Sequence, residues 1–139
     1  MRRRDRPTTW GLWGQYTPVI ERQSRLEVAE RTLASGEVVT PVDPDEIRAA
    51  AAALLEQGCE AVCLFFINGY ANGENEARAA EVLRDAWPNE HVSVATEILP
   101  EIREFERCST ASLNAYLQPV VANYLARLEE RLELSLIHI

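Results

Sequence analysis

The sequence predicts an α/β fold in which a β-hairpin precedes a βαβ unit and a long C-terminal helix follows it. The main observation is an apolar run from Ala61 to Ile67, with a helical pattern on each side of it and a second short strand pattern beyond. A run that is apolar on both faces is typical of a central parallel strand. Strand, helix and strand in this order are typical of a right-handed βαβ unit.

Composition restricts the class of protein. The chain has 139 residues, of which 47% are hydrophobic and 26% charged, a balance typical of one globular domain. The net charge of −8 disfavours binding to nucleic acid or to an anionic membrane. No apolar run approaches the ~20 residues that cross a bilayer, and no signal segment follows the basic N-terminus. We therefore expect a cytoplasmic location, without nucleic acid or membrane as a partner.

Several kinds of active site are disfavoured. All basic side chains are Arg, so the chain lacks the Lys of a Walker phosphate loop or of a Schiff base. Cys59, Cys63 and Cys108 have no CxxC spacing, and we expect reduced, structural thiols and no metal site. The sequence also lacks GxSxG, HExxH and GxGxxG motifs, so its catalytic residues are not assigned.

The N-terminal part is expected to be irregular. Residues 1–24 combine Trp10, Trp13 and Tyr16 with glycines and prolines, which exclude a regular helix. Alternation from Leu26 to Glu30, a turn at Ala34-Ser35-Gly36 and the strand pattern Glu37 to Thr40 then predict a hairpin.

Helix boundaries are marked by capping residues. Asp43-Pro44-Asp45-Glu46 predicts a helix start, with Asp43 as the cap and Glu46 completing a capping box. Gly58 is expected to end this helix in a left-handed conformation. A second helix is predicted from Glu74 to Ala86, and a strand follows at Val92 to Val94, with Thr96 to Ile98 as its extension.

The last helical region begins near Ile102, and Pro119 is expected to kink it. Its apolar stripe is expected to pack on the sheet or on a further domain. Residues 134–139, LSLIHI, look like the translation of a sequencing-library adaptor. We therefore expect residues 25–133 to form a partial α/β domain of a protein that continues beyond Glu133.

Two segments are candidate binding sites. The first is the loop from Asn68 to Gly73, which follows the apolar strand, where ligands bind in open α/β sheets. Asn68 and Asn72 offer neutral donors and acceptors there. The alternative is an ordinary strand-to-helix turn, in which Asn and Gly are common.

The second candidate segment, Leu99 to Thr110, alternates carboxylates with guanidinium groups. Arg103 or Arg107 could bind an anionic group through two hydrogen bonds, and Ser109 could bind the same group. The alternative is an ion-paired helix face, because Glu104 and Arg107 fall at helical spacing.

At this segment the sequence resembles a known family. LPEIREFERCSTASLN at residues 99–114 resembles the hydantoinase A/5-oxoprolinase family, as do RLEVAER at 25–31 and Tyr70-Ala71-Asn72. RDRPTTWGLWG at residues 4–14 is similar to the N-methylhydantoinase and ketone-carboxylase branch. The likeness runs in family order from residue 4 to 133. The chain has Asn68-Gly69 where the family usually has His-Ser, and Phe105 where it usually has Tyr.

The resemblance implies the later part of the N-terminal region of an enzyme with an actin-like ATPase-type architecture. Such enzymes use ATP and Mg²⁺ to phosphorylate a carbonyl oxygen, and they open cyclic amides such as hydantoin or 5-oxoproline. The carboxylase relatives instead add bicarbonate to ketones. The phosphate-binding loop would lie upstream of this chain, so we expect the fragment to bind neither ATP nor Mg²⁺ and to be inactive alone.

The expected partners are the remainder of the chain and a second subunit or domain of hydantoinase B type. The competing hypothesis is a non-catalytic α/β interaction module. With the resemblance included, the candidate substrate- or phosphate-binding residues are Arg103, Glu104, Arg107, Ser109, Asn114, Asn68 and Asn72.

Overall fold

The computed structural model describes residues 18–136 and two short strands that precede them. Strands β1 (Thr8–Thr9) and β2 (Leu12–Trp13) are antiparallel, with Thr8 opposite Trp13. The other residues before 18, and residues 137–139, lie outside the described part, and so does most of the predicted aromatic segment. Within the described residues, no helix has the length and apolar character needed to cross a membrane.

The predicted hairpin is present but shorter than expected. Strand β3 (Arg31–Thr32) pairs antiparallel with β4 (Val38–Thr40). Gly36 lies in the turn with a φ of 87°, a conformation that glycine adopts without strain. The prediction that residues 26–30 belong to the first strand is wrong.

Helix α1 (Pro44–Glu56) begins and ends as predicted. The Asp43 side chain accepts a hydrogen bond from the Asp45 amide at 2.9 Å, which satisfies one of the free donors of the first turn. Gly58 follows the helix with a φ of 79°, confirming the predicted left-handed residue.

Glu46 differs from its predicted role in a capping box. Its Oε2 atom accepts a hydrogen bond from the amide of Ala29 at 2.7 Å. The bond attaches residues 26–30 to α1. Residues 26–30 do not extend β3.

The predicted βαβ unit is confirmed. Strands β5 (Val62–Leu64) and β6 (Val92–Val94) are parallel, with Val62 opposite Val92, and helix α2 (Glu74–Ala86) connects them. The apolar run of residues 61–67 is longer than the strand that it forms.

The predicted extension of β6 over residues 96–98 is wrong. The chain turns into a short helix, α3 (Ala95–Ile98), directly after Val94. The Thr96 amide donates to the Glu76 side chain of α2 at 3.2 Å. This bond directs the chain towards α2 and away from the line of the strand.

The hydrophobic core lies between β5 and the pair α1 and α2. Val62 and Leu64 pack there against Ile47 of α1 and Leu83 of α2. Because side chains alternate along a strand, Cys63 lies on the opposite face of β5, towards the last helix. The buried hydrophobic residues are Val42, Ile47, Ala51, Val62, Leu64, Phe66, Ala79, Ala80, Leu83, Trp87, Val94, Ala95, Ala111 and Ala115.

Helix α4 (Glu104–Leu136) is only partly covered. Its first turns pack on the sheet through the buried residues Ala111 and Ala115. Beyond them most of its large apolar side chains are exposed, including Tyr116 at 65% and Val120 at 69%. The predicted apolar stripe is thus present, but much of it has no cover among the described residues. Pro119 lies inside the helix, as the sequence indicates.

The cap of α1 gives a stability prediction. Replacement of Asp43 by Ala removes the side-chain acceptor of the first turn, and we expect the free energy of unfolding to fall by about 1 kcal/mol. Urea unfolding followed by circular dichroism measures the change. Asp45→Ala is the matched control, because that exposed side chain lies outside the cap and pairs with Arg48 across one helical turn. Equal effects of the two substitutions would contradict the assignment of the cap.

Candidate functional site

The loop that follows β5 is attached to the β3–β4 hairpin by two asparagine side chains. Asn68 donates from Nδ2 to the carbonyl of Thr32 at 2.9 Å, and Asn72 donates to the carbonyl of Gly36 at 2.9 Å. Asn68 has a φ of 58°, which asparagine tolerates better than most residues. Both predicted ligand-binding amides therefore hold the loop in place, and a ligand role for them stays a prediction.

Asn75, which sequence reasoning did not select, strengthens this attachment. Its side chain is 3% exposed. Its Oδ1 accepts from the amide of Val42 at 3.1 Å, and its Nδ2 donates to the carbonyl of Thr40 and to Glu30 Oε2, each at 3.0 Å. One buried amide thus joins both ends of the hairpin region to the first turn of α2.

Glu76, one residue further along, is fully buried and was also missed. Its Oε1 accepts a hydrogen bond from the amide of Phe66 at 3.0 Å, and its Oε2 accepts one from the amide of Thr96. The carboxylate therefore joins the end of β5 to the start of α3. No sequence signal distinguished it from the exposed glutamates in the same helix.

Gly69 packs directly against this carboxylate. A Cβ atom at residue 69 would lie 3.1 Å from Glu76 Oε2 and 3.1 Å from Thr96 Cγ2, closer than ordinary van der Waals contact. The loop can pass this close to the buried carboxylate because residue 69 lacks a side chain.

Arg107 of α4 is fully buried on the other side of the same strand end. Its Nη2 donates to the carbonyl of Phe66 at 2.7 Å, and Nη1 donates to the carbonyl of Glu101 at 3.4 Å. The guanidinium carbon lies 4.9 Å from the ring centre of Phe65 and 5.7 Å from that of Tyr70, within cation–π range. Nε is buried and has no hydrogen-bond partner among the described residues.

Glu76 and Arg107 together bind both polar groups of one backbone residue. The Phe66 N–H donates to the carboxylate and its C=O accepts from the guanidinium. Hydrogen bonds to charged groups are roughly twice as strong as neutral ones, and they strengthen further away from water. We refer to these two side chains as the Glu76–Arg107 pair. It fixes the carboxyl end of β5, the place where the sequence predicted ligand binding.

The remaining predicted site residues do not converge on this point. Arg103 and Glu104 are exposed at the start of α4. The Nη1 atom of Arg103 lies 3.9 Å from Oε1 of Glu106. Asn114 donates to the Ser93 hydroxyl at 2.8 Å and so connects α4 to β6. Ser109 lies on a separate groove. The structure thus brings Arg107 and the loop after β5 together and places the other candidates along α4.

That groove has a volume of about 750 Å³ and runs between α1, β5 and α4. We call it the β5 groove. Most of its lining is apolar, and Ser109 contributes one of its few hydroxyl groups. Its lining includes Leu26, Leu54, Phe65, Phe105, Cys108 and Leu113.

Cys63 lines the β5 groove but is a poor nucleophile there. Burial, with a smaller contribution from neighbouring Cys108, raises the pKa of the Cys63 thiol from 9.0 to about 12. The thiolate is the reactive form, so this side chain stays protonated and unreactive near neutral pH. Cys59, Cys63 and Cys108 are all free thiols in the structure.

The described residues do not by themselves fit ATP with Mg²⁺. They contain no group of three or more His, Cys, Asp or Glu side chains placed to hold a metal ion. The Glu74 amide at the start of α2 already donates to the Asn72 side chain at 2.9 Å, and the chain has no Lys to bind phosphate. We therefore derive no phosphoryl-transfer step from these residues.

The Glu76–Arg107 pair gives a second stability prediction. Arg107→Met leaves the buried Phe66 carbonyl without its donor, so we expect a loss of about 2 kcal/mol in the free energy of unfolding. Arg103→Met is the matched control in the same helix and should change it by less than about 0.5 kcal/mol, because Arg103 is exposed. Urea denaturation of both variants measures the difference, and similar losses would contradict the assigned role of Arg107.

The raised pKa of Cys63 gives a kinetic prediction. At about pH 8 we expect iodoacetamide to modify Cys63 at least ~100-fold more slowly in the folded chain than in the urea-unfolded chain. The unfolded thiol ionises first, so the stabilisation from the protonated thiol is present below pH 9.0 and is lost as pH rises towards about 12. Peptide mass spectrometry measures the rates, with Cys63→Ser as the control for peptide assignment. Equal rates would show that the thiol is not shielded.

Comparisons with known proteins agree with this fold. Residues 1–87 match the model of the hydantoinase/oxoprolinase N-terminal region. The chain is 34% identical to the caprolactamase subunit alpha of Pseudomonas jessenii over 83% of its length, and 32% identical to the acetophenone carboxylase gamma subunit of Aromatoleum aromaticum over 76%. The crystal structure of the ATP-dependent caprolactamase from Pseudomonas jessenii matches 95% of the chain, with a TM-score of 0.85 and 30% sequence identity.

These relatives are much longer proteins. The chain covers 16% of the caprolactamase subunit, 15% of the carboxylase subunit and 19% of the caprolactamase chain in the crystal structure. The family model covers residues 1–87, and the structural match covers 95% of the chain. The chain therefore belongs to the hydantoinase/oxoprolinase family and corresponds to part of its N-terminal region.

Proposed function

We propose that this chain is part of an ATP-dependent enzyme that opens a cyclic amide, of the hydantoin or 5-oxoproline type, by phosphorylating the carbonyl oxygen. The observation that carries the proposal is the likeness, over nearly the whole chain, to an ATP-dependent caprolactamase. A lactam is a cyclic amide, as hydantoin and 5-oxoproline are. Phosphorylation of an amide oxygen would convert a poor electrophile into one with a good leaving group.

The contribution of this chain to such an enzyme is to build one side of a ligand cleft. In open α/β sheets, ligands bind beyond the carboxyl ends of the strands. The Glu76–Arg107 pair holds that end of β5, and the loop of residues 67–73 extends from it. We propose that this loop and the exposed side chains of Arg103 and Glu104 face substrate or phosphate in the complete enzyme.

ATP and Mg²⁺ would then be bound mainly by parts of the polypeptide outside this chain. The proposal is supported by the described residues, which offer no group of three or more possible metal ligands, and by the lack of Lys in the sequence. We also propose a second subunit of hydantoinase B type as a partner, because the relatives are named as the alpha and gamma subunits of their enzymes. A cytoplasmic location completes the proposal.

A second candidate function is the ATP-dependent carboxylation of a ketone. The specific observation in its favour is the 32% identity to an acetophenone carboxylase subunit. Both reactions begin at a carbonyl group. For the amide, water attacks the activated carbonyl carbon and the C–N bond breaks. For the ketone, the carbon next to the carbonyl loses a proton and forms a C–C bond to carbon derived from bicarbonate. Dependence on bicarbonate therefore separates them.

The test compares the 139-residue chain with the complete polypeptide recovered from its source gene, supplied with its second subunit. We expect the chain alone to release no phosphate from ATP and to open no ring. The complete enzyme should release phosphate when hydantoin, 5-oxoproline or caprolactam is added, and the open-chain product should appear by mass spectrometry. Acetone or acetophenone with bicarbonate is the matched control.

Each outcome separates the candidates. Phosphate release that requires a ketone and bicarbonate would replace the hydrolase proposal with the carboxylase. Turnover by the 139-residue chain alone would overturn the proposal that it is an incomplete part. Inactivity of the complete enzyme with every substrate would favour a non-catalytic interaction module.

A further inference from the structure

We propose that Ile67 and Tyr70, in the loop that follows β5, contact the cyclic amide directly. The Tyr70 hydroxyl forms a hydrogen bond with the amide group, and Ile67 packs against the methylene groups of the ring. The inference rests on the proposed function and deepens it, because it names the contact residues and narrows the substrate to an uncharged ring. We refer to the two side chains as the Ile67–Tyr70 surface.

The backbone that carries Ile67 is fixed on both sides. The preceding residue, Phe66, is held through its N–H and C=O by the Glu76–Arg107 pair. The following residue, Asn68, is bonded through its side chain to the β3–β4 hairpin. Residues that recognise a substrate must be held in one geometry by their surroundings, and this segment meets that condition without a ligand.

The same loop is closed by backbone hydrogen bonds. The Asn68 carbonyl accepts from the amide of Ala71 at 2.9 Å and from that of Asn72 at 3.3 Å. The Asn72 side chain in turn donates to the Gly36 carbonyl. Tyr70 therefore lies in a turn of defined shape.

Tyr70 carries the one hydrogen-bonding side chain of the described loop, residues 67–73, that the fold does not use. The side chains of Asn68 and Asn72 both donate to carbonyls of the hairpin region. The Tyr70 hydroxyl forms no hydrogen bond with the residues that the structure describes, and it is not one of their buried polar atoms that lack a partner. The hydroxyl is therefore accessible, although the side chain as a whole is half-buried.

The Tyr70 ring is held by Arg107. Its centre lies 5.7 Å from the guanidinium carbon, within cation–π range, and Arg107 is itself fully buried. A ring that is already fixed loses little conformational entropy when its hydroxyl binds a ligand. The structure thus combines a fixed ring with an unused hydroxyl.

Ile67 supplies the apolar part of the surface. It is 55% exposed, whereas Phe66 beside it is buried. It lies just beyond the carboxyl end of β5, the edge at which open α/β sheets bind ligands. A β-branched side chain has few rotamers, so Ile67 presents a stiff apolar surface from a fixed backbone.

The composition of the loop defines the substrate. Residues 67–73, INGYANG, contain no charged side chain. A hydroxyl can donate to an amide carbonyl or accept from a ring N–H, and an isoleucine side chain is stabilised by contact with methylene groups. The carboxylate of 5-oxoproline would need a cation, which the loop does not offer. The surface therefore fits an uncharged ring, such as a lactam or hydantoin, better than it fits 5-oxoproline.

Tyr70→Phe tests the hydroxyl in the complete enzyme with its second subunit. The substitution keeps the ring over Arg107 and removes only the hydrogen-bonding atom. We expect kcat/KM for caprolactam and for hydantoin to fall by about 10-fold, the effect of one lost hydrogen bond, with no change in the thermal midpoint. Tyr116→Phe is the matched control on the exposed face of α4 and should leave kcat/KM unchanged.

Ile67→Ala tests the apolar contact in the same enzyme. The caprolactam ring consists mostly of methylene groups, whereas the hydantoin ring consists mostly of amide groups. We therefore expect kcat/KM to fall by about 10-fold for caprolactam and by less than about 3-fold for hydantoin. Val39→Ala is the matched control, because Val39 is equally exposed, at 55%, but lies on β4 outside the loop.

The results separate failure of this inference from failure of the proposed function. A wild-type enzyme that opens no ring would overturn both. Ring opening with kcat/KM unchanged in Tyr70→Phe, or lowered equally for both substrates in Ile67→Ala, would overturn the contacts alone. A wild-type kcat/KM that is highest for 5-oxoproline would overturn the uncharged ring. A lower thermal midpoint of either variant, with unchanged discrimination between the rings, would assign the side chain to packing against the remaining polypeptide and overturn its contact with substrate.

Discussion

The arrangement of this chain depends on how the backbone of Phe66 is held. A carboxylate from α2 accepts its N–H, and a guanidinium from α4 donates to its C=O. Both side chains are fully buried, so neither charge is screened by water. Helices on opposite faces of the sheet are thereby joined through one residue at the end of β5. The loop continues from this residue, Glu76 connects it to the start of α3, and Arg107 connects it to the first turns of α4.

Local pattern predicted the elements well, because caps and periodicity act over a few residues. The structure confirms the helix start predicted at Asp43, the helix end predicted at Gly58 and the strand predicted in the apolar run before Asn68. The wrong predictions concern segments that form hydrogen bonds to residues distant in the sequence. The amide of Ala29 bonds Glu46 and the amide of Thr96 bonds Glu76, and both bonds lie in segments that the pattern assigned to strands.

The candidate site was harder to predict for the same reason. Arg107 was selected from its segment, but its burial against Phe65 and Tyr70 is not visible in a run of alternating charges. Asn75 and Glu76 look like ordinary polar residues of a first helical turn. Their burial depends on the hairpin and on α3, which come from distant parts of the sequence.

The close approach of Gly69 to Glu76 has an evolutionary consequence. A side chain at residue 69 would press on a carboxylate that two backbone amides already hold, so it could be accepted only if Glu76 or Thr96 shifted or changed as well. Substitutions at these positions are therefore expected to be epistatic. A relative with Ser at the position of Gly69 should differ in the backbone path or in the residues that surround the carboxylate. Transfer of that one residue between family members would then destabilise the recipient, although the same residue is harmless in its own background.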